Sequence, residues 1–178
     1  MKKILCFLLL IGFISCTDNS VYIKETVKLK ESVDSINQVL NTYDLDSIRS
    51  MYDNLNGTIE KLKKLDAGLP EDDSLLLYLN KFGFVVKGTR KFIQKNESYR
   101  KDVKYCTEQV SNLEQDIKNN IYNASEIESY INDEKKAIDK LSQKTAALSN
   151  IKDDISFYKN YYHIVIEYVD SLEQSIKK

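Results

Sequence analysis

The sequence predicts an all-α protein, an elongated up-down-up bundle of three antiparallel helices with coiled-coil-like packing. Three observations predict it. Helix breakers are scarce, with one Pro and five Gly among 178 residues. Apolar residues recur at alternating steps of three and four, which places them on one helical stripe. Only two clusters of turn residues interrupt that rhythm, so three long helices are joined by short connections and must alternate in direction.

The first helix is expected over about 21–65, carrying Leu29, Val33, Ile36, Leu40, Tyr43, then Leu45, Ile48, Tyr52, Leu55, Ile59 and Leu62. Its heptad phase slips between Tyr43 and Leu45. Asp44 or Asp46 would cap a fresh helix there, and a bend or local unwinding would also fit. One long helix with an irregularity, or a break near residue 44, is the expectation. Asp66-Ala67-Gly68-Leu69-Pro70 ends it, since Gly serves the left-handed position after a last turn and Pro prevents continuation.

Glu71-Asp72-Asp73-Ser74 then supplies a cap and first-turn negative charge for a second helix over about 73–121. Its expected stripe is Leu75, Leu79, Phe82, Val86, Ile93, Tyr99, Val103, Cys106, Val110, Leu113 and Ile117. Asn119-Asn120 and Asn123-Ala124-Ser125-Glu126 make the second turn. The third helix, about 125–177, runs through Ile127, Ile131, Ile138, Leu141 and Leu148. It continues through Ile151, Ile155, Tyr158, Tyr162, Val165, Val169, Leu172 and Ile176, slipping phase near Ile151. Turns near 69 and 123 set position 82 level with about 164 and about 56. At 1.5 Å per residue the rod would be roughly 70 Å long.

Ahead of the bundle, Met1-Lys2-Lys3 is a short positive region, and Ile4 to Ile14 is an almost unbroken apolar run. A membrane-spanning helix needs about twenty apolar residues, so this run is too short to span and has the anatomy of a secretory leader. Phe13-Ile14-Ser15-Cys16 resembles a bacterial lipobox, departing from it at Phe13, where Leu is commonest. The resemblance implies a leader over 1–15, a diacylglyceryl group and an N-acyl chain on Cys16, and no other cofactor. It also implies a polar tether over 16–20. Several acyl chains on one residue hold a membrane stably where a single chain does not. Thr17, rather than the Asp that favours inner-membrane retention in enteric bacteria, points by the same resemblance to the outer membrane. Asp18 alone leaves surface exposure open, because surface export in some Bacteroidota lipoproteins follows a run of acids.

Charge and cysteine content narrow the function classes. Lys plus Arg number 26 against 27 Asp plus Glu; losing Lys2 and Lys3 with the leader leaves 24 against 27, a net −3. Acids and bases alternate without a basic block, so no nucleic-acid partner is expected. Cys6 leaves with the leader and Cys16 is acylated, which leaves Cys106 on the apolar seam as a small buried hydrophobe. His163, the only histidine, excludes a metal site with two His ligands in one chain and is expected to pack in a boundary layer. There is no phosphate loop, nucleophile elbow or zinc-spaced Cys pair, so neither enzymatic activity nor a small-molecule substrate is expected.

Two features point beyond the scaffold. The level far from the tether is apolar around most of the helix, at Leu75–Leu79, Phe82–Val86 and Tyr161–Ile166. This is either a thicker core or a partner surface built from Tyr78, Phe84, Tyr161 and Tyr168. Gly57 and Gly83 fall near the same level and suggest a close backbone approach there. Separately, Asp34-Ser35-Ile36, Asp46-Ser47-Ile48, Asp73-Ser74-Leu75 and Asp170-Ser171-Leu172 resemble the O-glycosylation sequon of secreted Bacteroidota proteins. The resemblance implies glycans on Ser35, Ser47, Ser74 or Ser171, although Asp-Ser also naturally precedes an apolar position on amphipathic helices. The expected function is a membrane-tethered helical scaffold with a protein partner in the envelope. A lipoprotein immunity factor against a delivered toxin and a periplasmic holdase are the alternatives.

Overall fold

The computed structural model describes residues 19–65, 70 and 72–176. Those residues form an all-α bundle of three packed rods. The first rod is α1 (Ser20–Asn41) followed by α2 (Leu45–Leu65), and the second is one unbroken helix, α3 (Asp73–Lys118). The third comprises α4 (Ala124–Ala146), a 3₁₀ turn at Ala147–Asn150, and α5 (Ile151–Ile176). At 1.5 Å per residue α3 alone is roughly 70 Å long.

Side-chain pairing fixes the directions. The first and third rods run parallel, because Tyr22 meets Glu128, Asn54 meets Tyr158 and Thr58 meets Tyr162 at sequence offsets of 106, 104 and 104. Against α3 the pairing reverses: Asn19 reaches Ile117, while Asn41 further along meets Arg100. Phe82 packs with Leu55 and Val165 in one cluster, close to the levels that the turn positions predict.

The helix ends follow from their sequences. Asp72 accepts the backbone N–H groups of Ser74 and Leu75 at 2.7 and 3.2 Å, satisfying two orphan donors of α3. Asn119 follows its last turn, and Asn120 adopts the left-handed conformation, φ 54°, that asparagine tolerates. Asn123 and Glu126 then form a reciprocal capping box at the start of α4.

The first rod is interrupted between Asn41 and Leu45, the break near residue 44 that the phase slip allows, rather than continuing as one long helix. Asp44 accepts the backbone N–H of Asp46 at 3.1 Å and the hydroxyl of Ser47, starting a new helix where the heptad phase slips. In the third rod the slip near Ile151 is a stammer. Thr145, Leu148 and Ile151 are all buried at successive steps of three, and the overwound 3₁₀ turn is how the backbone keeps them on one side.

Both interruptions face the same stretch of α3. Tyr43 packs edge-on against Phe92 with centroids 5.5 Å apart, and Leu148 and Ile151 line a cleft with Gly88 and Phe92. The buried core divides near this level. A proximal cluster runs from Leu29 to Ile48 with Phe92 to Ile117 and Ile127 to Ile151. A distal cluster joins Met51, Leu55, Phe82, Val85, Val165 and Val169. The buried stripe of distal α3 also differs from expectation: Val85, Thr89, Phe92 and Asn96 are buried, while Val86 and Ile93 are half-buried. The stripe lies one residue earlier there, with Val85 turned to the α2 and α5 residues of the distal cluster and Phe92 to the proximal one.

Candidate functional site

The end of the bundle where the described chain begins is tied down by polar contacts. The Asn19 side-chain amide donates to the Ile117 carbonyl at 3.0 Å and to Asn120 Oδ1 at 2.9 Å. Cys16 lies outside the described residues, three positions before this anchor point.

At the opposite end the aromatic residues sort onto different faces. Tyr78 stacks on Tyr161 with centroids 4.9 Å apart, and Phe157 lies 5.0 Å from Tyr161, so these three close the seam between α3 and α5. The ammonium of Lys81 sits 5.9 Å from the Phe157 ring centre, within cation–π range. Tyr168 instead lines a mostly apolar groove of about 280 Å³ with Leu62, Leu79, Phe82 and Gly83. Phe84 joins neither group and is 69% exposed. Of the four aromatic residues singled out in the sequence, the fold therefore brings together only Tyr78 and Tyr161.

Phe84 has a companion that the sequence reading missed. Leu77, seven residues earlier on the same face of α3, is 68% exposed. The signal was the i, i+7 spacing of two large apolar residues lying off the buried stripe. Charge is also less evenly mixed than expected. From Ser74 to Asn96 α3 contains no acid and five bases: Lys81, Lys87, Arg90, Lys91 and Lys95. The ion pairs among the described residues use Lys28, Lys30, Arg49, Lys61, Lys63, Lys104, Lys118 and Lys136, and none of those five.

The glycines carry a second correction. A methyl group at Gly57 or Gly83 would have nothing within 4 Å, so neither marks a close backbone approach. At Gly88 the close neighbour is a side chain: a methyl there would collide with Oδ2 of Asp154. That carboxylate sits half-buried at the edge of an open cleft of about 210 Å³, with Lys91, Lys95 and Asn150 on its other walls. Burial raises the Asp154 pKa, Lys81 opposes the rise and Asp153 adds to it.

A carboxyl raised on folding destabilises the fold wherever it is ionised, and the penalty disappears as pH falls through its folded pKa. Asp154→Asn is therefore expected to raise the urea midpoint at pH 7 and to lose most of that advantage near pH 4. Glu114 has the opposite sign. Hydrogen bonds from Lys118 and then Lys30 lower its pKa, so its stabilisation is present above the unfolded pKa and is lost as pH falls through the folded value. A midpoint difference between Asp154→Asn and the parent that stays constant from pH 7 to 4 would contradict this assignment.

The four serines of the Asp-Ser-aliphatic pattern are all exposed. Ser35 donates to the Glu31 carbonyl at 2.9 Å, Ser171 to the Tyr168 carbonyl at 2.7 Å, and Ser47 to the Asp44 cap. Ser74, at the start of α3, uses its backbone N–H for the Asp72 cap, and its hydroxyl is not engaged as the other three are.

Cys106 is buried on the α3 seam. Burial, then the charges of Glu134 and Asp102, push its thiol up, away from the reactive thiolate. His163 is exposed, not packed in a boundary layer, because the α5 seam passes through Tyr162 and Val165 on either side of it. Among the described residues no group of three or more His, Cys, Asp or Glu could hold a metal ion, and no helix is long and apolar enough to cross a membrane. Comparison with known proteins finds no matching family model, no similar curated protein and no similar solved structure.

Proposed function

We propose that this protein is an envelope lipoprotein, held to a membrane by lipid on Cys16, whose bundle is a non-enzymatic rod that meets a protein partner with its distal half. The observation that carries the reading is the lipobox-like Phe13-Ile14-Ser15-Cys16, placed three residues before the pinned Asn19. A lipid there would leave the proximal end of the rod at the bilayer and direct Leu77 and Phe84 away from it. The outer membrane is the expected location, and Ser74 is the best placed of the glycan acceptors.

The anchor is tested by feeding cells an alkyne-bearing fatty acid and fractionating them. The parent is expected to carry the label and sediment with membranes. Cys16→Ala is expected to lose both properties while its bundle stays folded. Label retained by Cys16→Ala, or an unlabelled parent, would overturn the reading.

A further inference from the structure

Leu77, Lys81, Phe84, Lys91 and Lys95 follow one another along α3 at steps of 4, 3, 7 and 4, which puts them on a single helical face. The row spans 18 residues, roughly 27 Å. Its two apolar members are exposed, and its lysines make no ion pair among the described residues. Asp154 on α5 rests against the Gly88 backbone and forms no ion pair with the row, although it lies within electrostatic reach of Lys81, whose ammonium is over Phe157; Lys91 and Lys95 carry the row's free charge. The cleft beside Gly88 leaves Lys91 and Lys95 open on its rim.

We infer that this face of α3 is the docking surface for an acidic amphipathic helix of another protein. The inference rests on the proposed rod reading and deepens it by naming the face and the partner's chemistry. An apolar side chain of the partner would lodge between Leu77 and Phe84, and carboxylates at helical spacing would meet Lys81, Lys91 and Lys95. Interleaved apolar and like-charged groups favour this occupant, because the apolar pair supplies contact area and the unpaired lysines choose the sign of what approaches. A second copy joined face to face would set lysine against lysine. The anchoring bilayer is out of reach: the row starts 22 residues along α3 from Ile117, the level of Asn19. That is roughly 33 Å, several times the Debye length of about 8 Å at physiological salt.

The test places the photo-crosslinker p-benzoylphenylalanine at position 84 of the full lipidated protein in intact cells, with a parallel probe at Tyr105. Tyr105 is exposed on the proximal half of the same helix. Mass spectrometry is expected to find, at position 84, a peptide of a different protein rich in Asp and Glu. Adduct yield is expected to fall at least about five-fold in Lys81→Glu/Lys91→Glu, as a charge-matched interface requires, with circular dichroism unchanged. Lipid adducts, adducts to this same chain, a yield indifferent to charge reversal, or no adduct at 84 would each overturn the inference. A charge-indifferent adduct to another protein at position 84 would leave the rod with a distal partner and remove only this docking chemistry, whereas an adduct at Tyr105 alone would remove the distal partner as well. Adducts at neither position would remove the distal partner along with the docking face and leave the lipid anchor, which the Cys16→Ala experiment reads separately.

Discussion

Phe82→Ala is expected to destabilise the protein by about 3–5 kcal/mol, the usual cost of emptying a fully buried aromatic site. Phe82 is 1% exposed and touches Phe157 edge-on at 5.4 Å and Tyr162 in a stacked arrangement at 6.0 Å. Neither neighbour can move into the space without giving up its own packing, since Tyr162 is also held by Thr58 at 3.1 Å and the Asn54 carbonyl at 3.2 Å. The loss should be local. The distal cluster is smaller than the proximal one, and no residue is shared between their buried sets. Amide exchange in Phe82→Ala is therefore expected to accelerate in α2, the first turns of α3 and α5. Protection around Leu29–Leu40 and Val103–Ile117 should persist. Uniform acceleration along all three rods would show a single cooperative unit and contradict the divided core. Phe82→Leu, which keeps most of the volume, should cost well under half as much.

The second large effect is expected at Arg100, which looks like an ordinary surface base in the sequence. Its guanidinium donates to Asn96 Oδ1 at 2.8 Å, to Asn41 Oδ1 at 2.6 Å and to the Leu40 carbonyl at 3.1 Å. Asn96 itself is fully buried and donates to the same carbonyl at 3.4 Å. Breaking the first rod leaves the final carbonyls of α1 without helical partners, and this pair supplies the donors from α3. Arg100→Ala is expected to cost about 1.5–3 kcal/mol in urea denaturation, the range for hydrogen bonds involving a charged group. A surface substitution elsewhere stays within about 0.5 kcal/mol. Arg100→Lys should recover little, because a single ammonium cannot span three acceptors in a plane. A cost below that surface range for Arg100→Ala would mean that water caps α1 equally well. Coupling between Arg100→Ala and Asn96→Leu, measured in a double-mutant cycle, should be non-additive because both act on Leu40.

Most of the architecture was legible because it rests on periodicity and punctuation. The Asp72 cap, the Asn123–Glu126 capping box and the left-handed Asn120 are local chemistry, written within a few residues of where they act. The interruptions were visible as phase slips, but their form was not. A slip at Tyr43–Leu45 fits a bend as well as a break until Asp44 is seen capping and Arg100 is seen serving the abandoned carbonyls. Asn96 was readable in principle, since it occupies a seam position between Phe92 and Val103 where an apolar residue is the rule. The exposed row was harder. Leu77 and Phe84 differ from core residues only through the helix face that neighbouring rods leave uncovered. The Gly88–Asp154 contact joins residues 66 positions apart, and no local signal announces it.

The unbroken α3 sets which length changes this chain can absorb. An extra residue at Thr42–Asp44 or within the 3₁₀ turn falls where the helical phase is already reset, and the flanking helices can keep their faces. The same insertion in α3 near Phe92 would turn everything beyond it by about 100° and advance it about 1.5 Å. Leu77 and Phe84 would then swing toward a neighbouring rod, and Phe82 and Val85 would leave the distal cluster. Natural variation in length should accordingly gather at the two joints, while the central helix keeps a fixed count of residues.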